Sequence, residues 1–253
     1  VNGSLVIADL ETTHRDVDQA GVCQIAAVML TQVCWQSDKY EQEGQALVIQ
    51  PLFQTYAQPS EHMSAEAQAV HGITPDMYQY SPTDVTAIWA FRALLDSMPQ
   101  PVVLSGYNCT RYDYQIMDKI YPAGQFGEFP HIDVMTLMMR KYPQHGLKLV
   151  EVFTRLFPEN PLVKTAHDAM ADCHMTALVL KGFMEEYQSF DPAVLATYCQ
   201  TPQPLSIMPW GKFKGREFKS IPNDYLQWMA GKWKDMHPDL AAAMRLRGFT
   251  AKE

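Results

Sequence analysis

An α/β fold is what the order of segments predicts: a mixed β-sheet flanked by helices, followed by a small C-terminal hairpin-and-helices module. Three observations carry this reading. Three apolar runs of strand character lie within the first 50 residues. Helical periods dominate from residue 64 to 187 with one strand among them, and a Pro-containing break near residue 201 sets off a short aromatic-rich stretch. The chain has 253 residues, 47% hydrophobic and 19% charged, enough to bury a sizeable core in one large domain, or one domain plus a small module.

Taken in order, residues 5–10 (LVIADL) read as a short buried strand, residues 23–33 (CQIAAVMLTQV) as a second and residues 46–50 as a third. Residues 64–70 form a short helix opened by the Ser64 cap. Residues 81–98 give an amphipathic helix with Val85, Ile88, Trp89, Leu94 and Leu95 on its apolar side. A strand at 101–104 precedes helices at 112–120, 133–141 and 147–157, then a long Ala-, Met- and Leu-rich helix at 167–187. Residues 1–200 are thus assigned to the main domain and 201–206 (TPQPLS) to a linker. Residues 207–253 form the module, with hairpin character around residues 213–215 and helices near 224–231 and 238–245.

Composition excludes several classes. No apolar run approaches the roughly 18 residues of a membrane span, and no basic-then-apolar leader opens the chain. The five cysteines are scattered, without a Cys-x-x-Cys pair, which argues against zinc and for a reduced, cytoplasmic setting. Charge is uneven: residues 1–200 hold 11 Lys and Arg against 23 Asp and Glu, residues 201–253 nine against five. An acidic body disfavours broad binding to nucleic acid, whereas the basic end is a candidate polyanion contact, or simply a solvated surface.

The chemistry lies in the acids. Asp9 and Glu11 stand two apart at the end of an apolar strand, so their side chains leave the same face. Two carboxylates forced together there repel each other and lose hydration, and a divalent cation relieves both costs. Asp113 ends a segment (GYNCTRYD, residues 106–113) just beyond the carboxyl end of the 101–104 strand, where sites in α/β sheets form. A third signal is HDAMAD, residues 167–172. Five helical residues turn through roughly 140°, so His167 belongs at the helix entrance while Asp172 projects inward. Each signal alone also reads as a solvated acid or a helix-start acid serving the dipole.

Together, the order Asp-x-Glu, Asp, His-x-x-x-x-Asp over residues 5–190 resembles the histidine-containing branch of the DEDD 3′–5′ exonucleases. Thr12 and Thr13 directly after Glu11, the segment SAEAQAVHGIT at 64–74, and His131-Ile132-Asp133 before a Met/Leu-rich helix agree with it. The 106–113 and 166–172 segments are similar to exonuclease I. The stretches MPWGKFKG (208–215) and PNDYLQW (222–228) resemble the C-terminal module of exodeoxyribonuclease X. Two positions depart: His14 stands where Gly is usual, and Gln24 where many relatives carry Glu.

The resemblance implies a ribonuclease H-like sheet and a metal-dependent enzyme that releases nucleoside 5′-monophosphates from DNA 3′ ends, single-stranded or frayed. It implies Asp9, Glu11, Asp113 and Asp172 as ligands of two Mg²⁺ or Mn²⁺ ions, and His167 as the general base. It also puts the backbone of Thr12 and Thr13, with His71, near the terminal nucleotide, flanked by Tyr107 and Asn108, with Leu10 wedged against a base. His71 has the further reading of a capping or packing histidine. An exoribonuclease on the same core, or a non-catalytic binder of nucleic-acid ends, is the alternative.

In the module, Trp210, Phe213, Phe218, Tyr225, Trp228 and Trp233 stand among Lys212, Lys214, Arg216 and Lys219. Aromatics interleaved with cations suit single-stranded nucleic acid. A module of this size also needs aromatics for its own core. Phe218 and Trp228 are assigned to that core, and Lys212, Lys214 and Arg216 to surface contacts.

Overall fold

Five strands make one sheet: β1 (Ser4–Thr12), β2 (Val22–Ser37), β3 (Gln42–Tyr56), β4 (Val102–Gly106) and β5 (His131–Asp133). Their order is β3-β2-β1-β4-β5, antiparallel across the first three and parallel from β1 through β4 to β5. This computed structural model describes residues 3–37, 42–143, 147–187, 191–232 and 236–250. Strand alternation creates the two layers around the sheet. Leu5 and Ile7 of β1 enter one buried cluster, and Val6, Ala8 and Leu10 enter the other.

The helices are α1 (Ala65–His71), α2 (Pro75–Tyr78), α3 (Asp84–Ser97), α4 (Asp113–Ile120), α5 (Val134–Lys141) and α6 (Leu149–Leu156). They continue with α7 (Ala169–Glu186), α8 (Pro192–Gln200), α9 (Asn223–Lys232) and α10 (Pro238–Leu246). The Val6 face packs on α3 and α4, through Ile88, Phe91, Ile116 and Met117. The Leu5 face packs on α5 to α8, through Leu137, Phe153, Cys173 and Leu195. Ser64 caps α1 by accepting from the Ala67 N–H, and Gly72 ends it at φ 71°.

Several expectations are corrected. Helix α3 is capped by Thr83, and its buried stripe is Ala87, Ile88, Phe91 and Leu95. Val85 and Trp89 lie one helical step off that stripe and are exposed. The β2–β3 arm runs well beyond 23–33 and 46–50: β3 continues through Pro51 to Tyr56, where a proline reads as a break, and the inner ends of the arm mix polar residues with Cys34 and Trp35. Strand β5 and helix α8 went unread; β5 is only three residues long. The 207–221 stretch forms no regular hairpin. A single bridge, Ile207 to Glu217, closes a loop with hydrogen bonds from Met208 N to Arg216 O and Gly215 N to Met208 O.

Residues 201–206 are not a free linker either. Leu205 is buried in a third cluster with Met208, Phe218, Ile221, Leu226, Met229, Leu240 and Met244, and Met139 of α5 joins them. Arg140 of α5 makes a bidentate pair with Asp239 of α10: Nε to Oδ2 at 2.6 Å and Nη2 to Oδ1 at 2.8 Å. The same guanidinium donates to the carbonyls of Tyr198, Cys199 and Thr201. Asp239 also accepts from Gln203 N, and His237 Nε2 meets Thr136 Oγ1 at 2.9 Å. The C-terminal segment is therefore fastened to α5 by a buried charge pair.

Removing one partner of such a pair strands the other charge in the interior. Arg140→Ala should lower unfolding free energy by about 3–5 kcal/mol in urea titrations. A loss below about 1 kcal/mol, the scale of an exposed pair, would show that the segment docks without it.

Candidate active site

Asp9 and Glu11 continue the Leu5–Ile7 face of β1, so the strand that builds the core also delivers both acids to one side of the sheet. Opposite them on β2, in register, are Ala26 and Gln24. Helix α7 packs on this side, and Cys173 donates from Sγ to the Ala26 carbonyl at 3.3 Å. That anchor seats the first turn of α7 and brings Asp172 to the strand acids. Carboxylate oxygens of Asp9, Glu11 and Asp172 lie within 4.8 Å of one another.

The start of α7 is clamped by a residue with two opposite hydrogen-bonding ends. Gln24 is fully buried. Its Nε2 donates to Asp168 Oδ2 at 3.0 Å, and its Oε1 accepts from Ala169 N at 3.2 Å. Asp168 caps the helix by accepting from Ala171 N at 3.1 Å. Glutamine suits this place because a Glu would turn a carboxylate toward Asp168 and lose the donor. His167 sits just outside the helix in the left-handed region, φ 68°, and its N–H donates to Asp172 Oδ1 at 3.2 Å. The placement expected of the His-x-x-x-x-Asp spacing is the one observed.

Asp113 reaches the site from the opposite layer. It is the first residue of α4 and accepts from Leu10 N at 3.2 Å, between the two strand acids. The loop before it is held by Asp133, whose carboxylate accepts from Asn108 N and Thr110 Oγ1 at 3.0 Å each. Asn108 has φ 60°. Gly106 is required where β4 passes β1: a Cβ there would stand 2.9 Å from the Ala8 carbonyl oxygen.

These acids are hard to ionise together. Burial, then the charges of Asp172, Asp113 and Glu11, raises Asp9 well above the usual carboxylate range. Burial, then Asp172 and Asp113, lifts Glu11 to about 8. Burial lifts Asp113 to about 7, against hydrogen bonds from its own and the Leu10 backbone. Burial also lifts Asp172 to about 6, against the His167 N–H. Among the described residues no ion pair joins any of the four to Lys or Arg. Crowded carboxylate oxygens with no protein cation are a donor set that fits hard divalent cations.

The neighbours expected at the terminal nucleotide fare differently. Leu10 is buried in the α3/α4 core, so its side chain is no wedge at the surface. Thr13 is fully buried, its N–H bonded to Gly21 O and its carbonyl to Ser64 N, so its backbone is already committed. Thr12 Oγ1 meets the Tyr112 hydroxyl at 2.6 Å, and both bond the His14 carbonyl. His71 accepts from Ile73 N at Nδ1, which leaves the proton on Nε2 to donate to Thr12 O at 3.3 Å. Burial lowers its pKa, with His167 adding to the shift, so it is a neutral clamp on the loop. The Tyr107 hydroxyl donates to Leu147 O at 2.7 Å. Lys212, Lys214 and Arg216 are exposed, as expected, but Trp228 is half exposed rather than core; Phe218 is buried. Trp233 lies outside the described residues. Gln24, Asp168 and Tyr112 are the supporting residues that sequence reasoning missed, since only strand register and packing bring them to the site.

The chain matches the RNase T-type exonuclease family over residues 6–180 and belongs to that family. A second family, described as a putative quorum-sensing-regulated virulence factor, matches residues 205–238. No curated protein matches. Among solved structures, exonuclease X in complex with 5′ overhanging duplex DNA is 20% identical with TM-score 0.55, covering 77% of this chain and 99% of its own. The zinc-bound E. coli exonuclease I–single-stranded DNA complex is 17% identical with TM-score 0.58, covering 74% of this chain and 42% of its own. E. coli exonuclease I with a dA16 oligonucleotide is 18% identical with TM-score 0.56, covering 75% and 42%. The chain thus aligns with about two-fifths of exonuclease I.

The raised pKa values fix a sign. From an unfolded pKa near 4 up to the folded values of about 6 to 8, the folded state holds more protons, so stability falls as pH rises. Divalent cations offset that repulsion once the acids ionise. The gain in Tm from Mg²⁺ or Mn²⁺ over EDTA should therefore grow between pH 5 and pH 8. A gain that is absent or flat with pH would remove the cluster as a cation site.

Proposed function

We propose that the protein is a divalent-metal-dependent 3′–5′ exodeoxyribonuclease that releases nucleoside 5′-monophosphates from single-stranded or frayed DNA 3′ ends. The observation that carries the reading is the convergence of Asp9, Glu11 and Asp172 within 4.8 Å, with Asp113 held beside them on the Leu10 N–H. The DNA in the exonuclease X and exonuclease I complexes supports the substrate class.

Asp9, Glu11, Asp113 and Asp172 would hold two Mg²⁺ or Mn²⁺ ions. Bound there, these cations supply Lewis acidity and positive charge toward the scissile phosphate. His167 is the general base: it takes the proton of the attacking water, and the bond from its N–H to Asp172 ties its position to the acids. Gln24 and Asp168 keep the start of α7, and so His167 and Asp172 together, in one arrangement. His71 holds the Thr12 carbonyl, and Thr12 and Asn108 border the place of the terminal nucleotide. Lys212, Lys214 and Arg216 contact the strand farther out.

The test is hydrolysis of matched 3′-labelled and 5′-labelled single strands of DNA and RNA, with Mg²⁺ or EDTA. Mononucleotide release from the DNA 3′ end, abolished by EDTA, is expected. Faster trimming of RNA would make the enzyme an exoribonuclease, and binding without cleavage would make it an end-binding protein. His167→Ala should lower kcat about 10²–10⁴-fold. Asp9→Asn should abolish cleavage while raising the Tm of the metal-free protein, about 2–4 °C for each kcal/mol of repulsion relieved. Full activity in either variant overturns its assignment.

A further inference from the structure

Helix α9 buries Leu226, Met229 and Ala230 in the third cluster. Tyr225, partly buried against that cluster, and Trp228, three residues on, form a ridge on its flank. Trp228 is 50% exposed. Its ring stacks on Tyr225 at 5.4 Å and 30°, and Tyr225 meets Phe213 edge-on at 4.7 Å and 76°. Lys212 Nζ lies 5.5 Å and the Arg216 guanidinium 5.4 Å from the centre of the Phe213 ring. Lys212, Lys214 and Arg216 are exposed. Gly211 and Gly215, at φ 74° and 81°, turn the loop that carries these cations, and a Cβ on Gly211 would lie 3.1 Å from the Tyr225 hydroxyl.

The module has other side chains for its core, Phe218 and Ile221 among them, so packing does not explain a half-bare indole on a charged rim. An open indole face leaves apolar surface in water at about 25 cal/mol per Å², a cost that a stacked base would remove. The occupant is set by charge as well as shape. The 201–253 segment carries nine Lys and Arg against five acids, while the rest of the chain holds 23 acids against 11 bases. A polyanion is thus repelled by the body and drawn to this end. Location fits too. His237 bonds Thr136 in the first turn of α5 at 2.9 Å and meets the Trp210 ring edge-on at 6.4 Å, just before the cationic loop. Asp133, the cap of α5, holds Asn108 and Thr110 of the loop that leads to Asp113, so the module is joined through α5 to the loop that supplies one of the four acids.

We propose that Trp228, Tyr225 and Phe213, rimmed by Lys212, Lys214 and Arg216, form a base-stacking platform for single-stranded nucleic acid on the module joined to the acid-bearing loop. The proposal builds on the exonuclease reading by giving that substrate a second contact. Bases stack on the indole face and phosphates meet the loop cations, a mode tolerant of sequence.

The experiment uses the full chain in EDTA, where hydrolysis is blocked, and measures anisotropy of a 5′-labelled oligothymidylate of about 20 nucleotides. Trp228→Ala should weaken binding roughly tenfold, and Trp228→Phe should recover most of it, as expected for one stacked base. The combined Lys212→Ala, Lys214→Ala, Arg216→Ala variant should flatten the dependence of log Kd on log salt. Unchanged affinity in Trp228→Ala, or no oligothymidylate binding by the parent, overturns the platform and leaves this face to a protein partner. A protein that cleaves nothing yet binds through Trp228 fails the exonuclease reading alone. One that cleaves DNA while Trp228→Ala binds equally well fails the platform alone.

Discussion

Repulsion among four acids at the carboxyl end of β1 is the constraint around which the rest of the molecule is arranged. Left to themselves, Asp9, Glu11, Asp113 and Asp172 would move apart or protonate: burial raises the pKa of all four, and the charge of neighbouring acids adds to it. What holds them is backbone. Asp113 is tied to the Leu10 N–H and Asp172 to the His167 N–H, while Asp9 and Glu11 are locked in a strand paired on both sides for part of its length. Each amide favours the ionised form of the acid it meets. The fold thus keeps the cluster assembled, and among the described residues no Lys or Arg side chain pairs with it to balance its charge.

The anchors come from different layers, which explains the long reach of the motif in sequence. Helix α7 is pinned twice to β2, by Cys173 on the Ala26 carbonyl and by Gln24 on Asp168 and Ala169. Because Ala26 and Gln24 pair with Asp9 and Glu11, each pin lies across from the acid it serves. A slip of one residue between β1 and β2 would turn the strand acids to the other face and separate the pins from them. Strand register and helix docking are therefore one constraint on the site.

How much of this was legible in the sequence follows from which forces act locally. Alternation alone puts Asp9 and Glu11 on one face. The 140° argument alone puts His167 outside the helix that carries Asp172, and its φ of 68° agrees. Gln24 stood out only as an unusual residue, since its role depends on register with Glu11 and contact with Asp168, 144 positions away. The family resemblance puts Leu10 and Thr13 at the nucleotide. Yet alternation sends Leu10 into the other core, and Thr13 spends its backbone bonds on Gly21 and Ser64. Trp228 was read as core from its residue type. The helical period of α9, with Leu226, Met229 and Ala230 inward, leaves it on the flank.

The apparent linker shows why composition misleads at a boundary. Pro202 and Pro204 mark a segment without regular structure, but irregular backbone still needs partners for its polar groups. Arg140 supplies several: its three guanidinium nitrogens serve Asp239 and three carbonyls at the end of α8, from Tyr198, Cys199 and Thr201. One guanidinium thus fastens the end of α8, the crossing segment and α10 to α5. Asp133 caps helix α5 and also holds the loop that leads to Asp113. A continuous chain of hydrogen bonds and packed side chains therefore runs from the basic module to the loop before Asp113 and so to the acidic cluster. A strand held by the module would meet the cluster through packed structure rather than across a free tether, so its ordering cost would already be met in part by the fold.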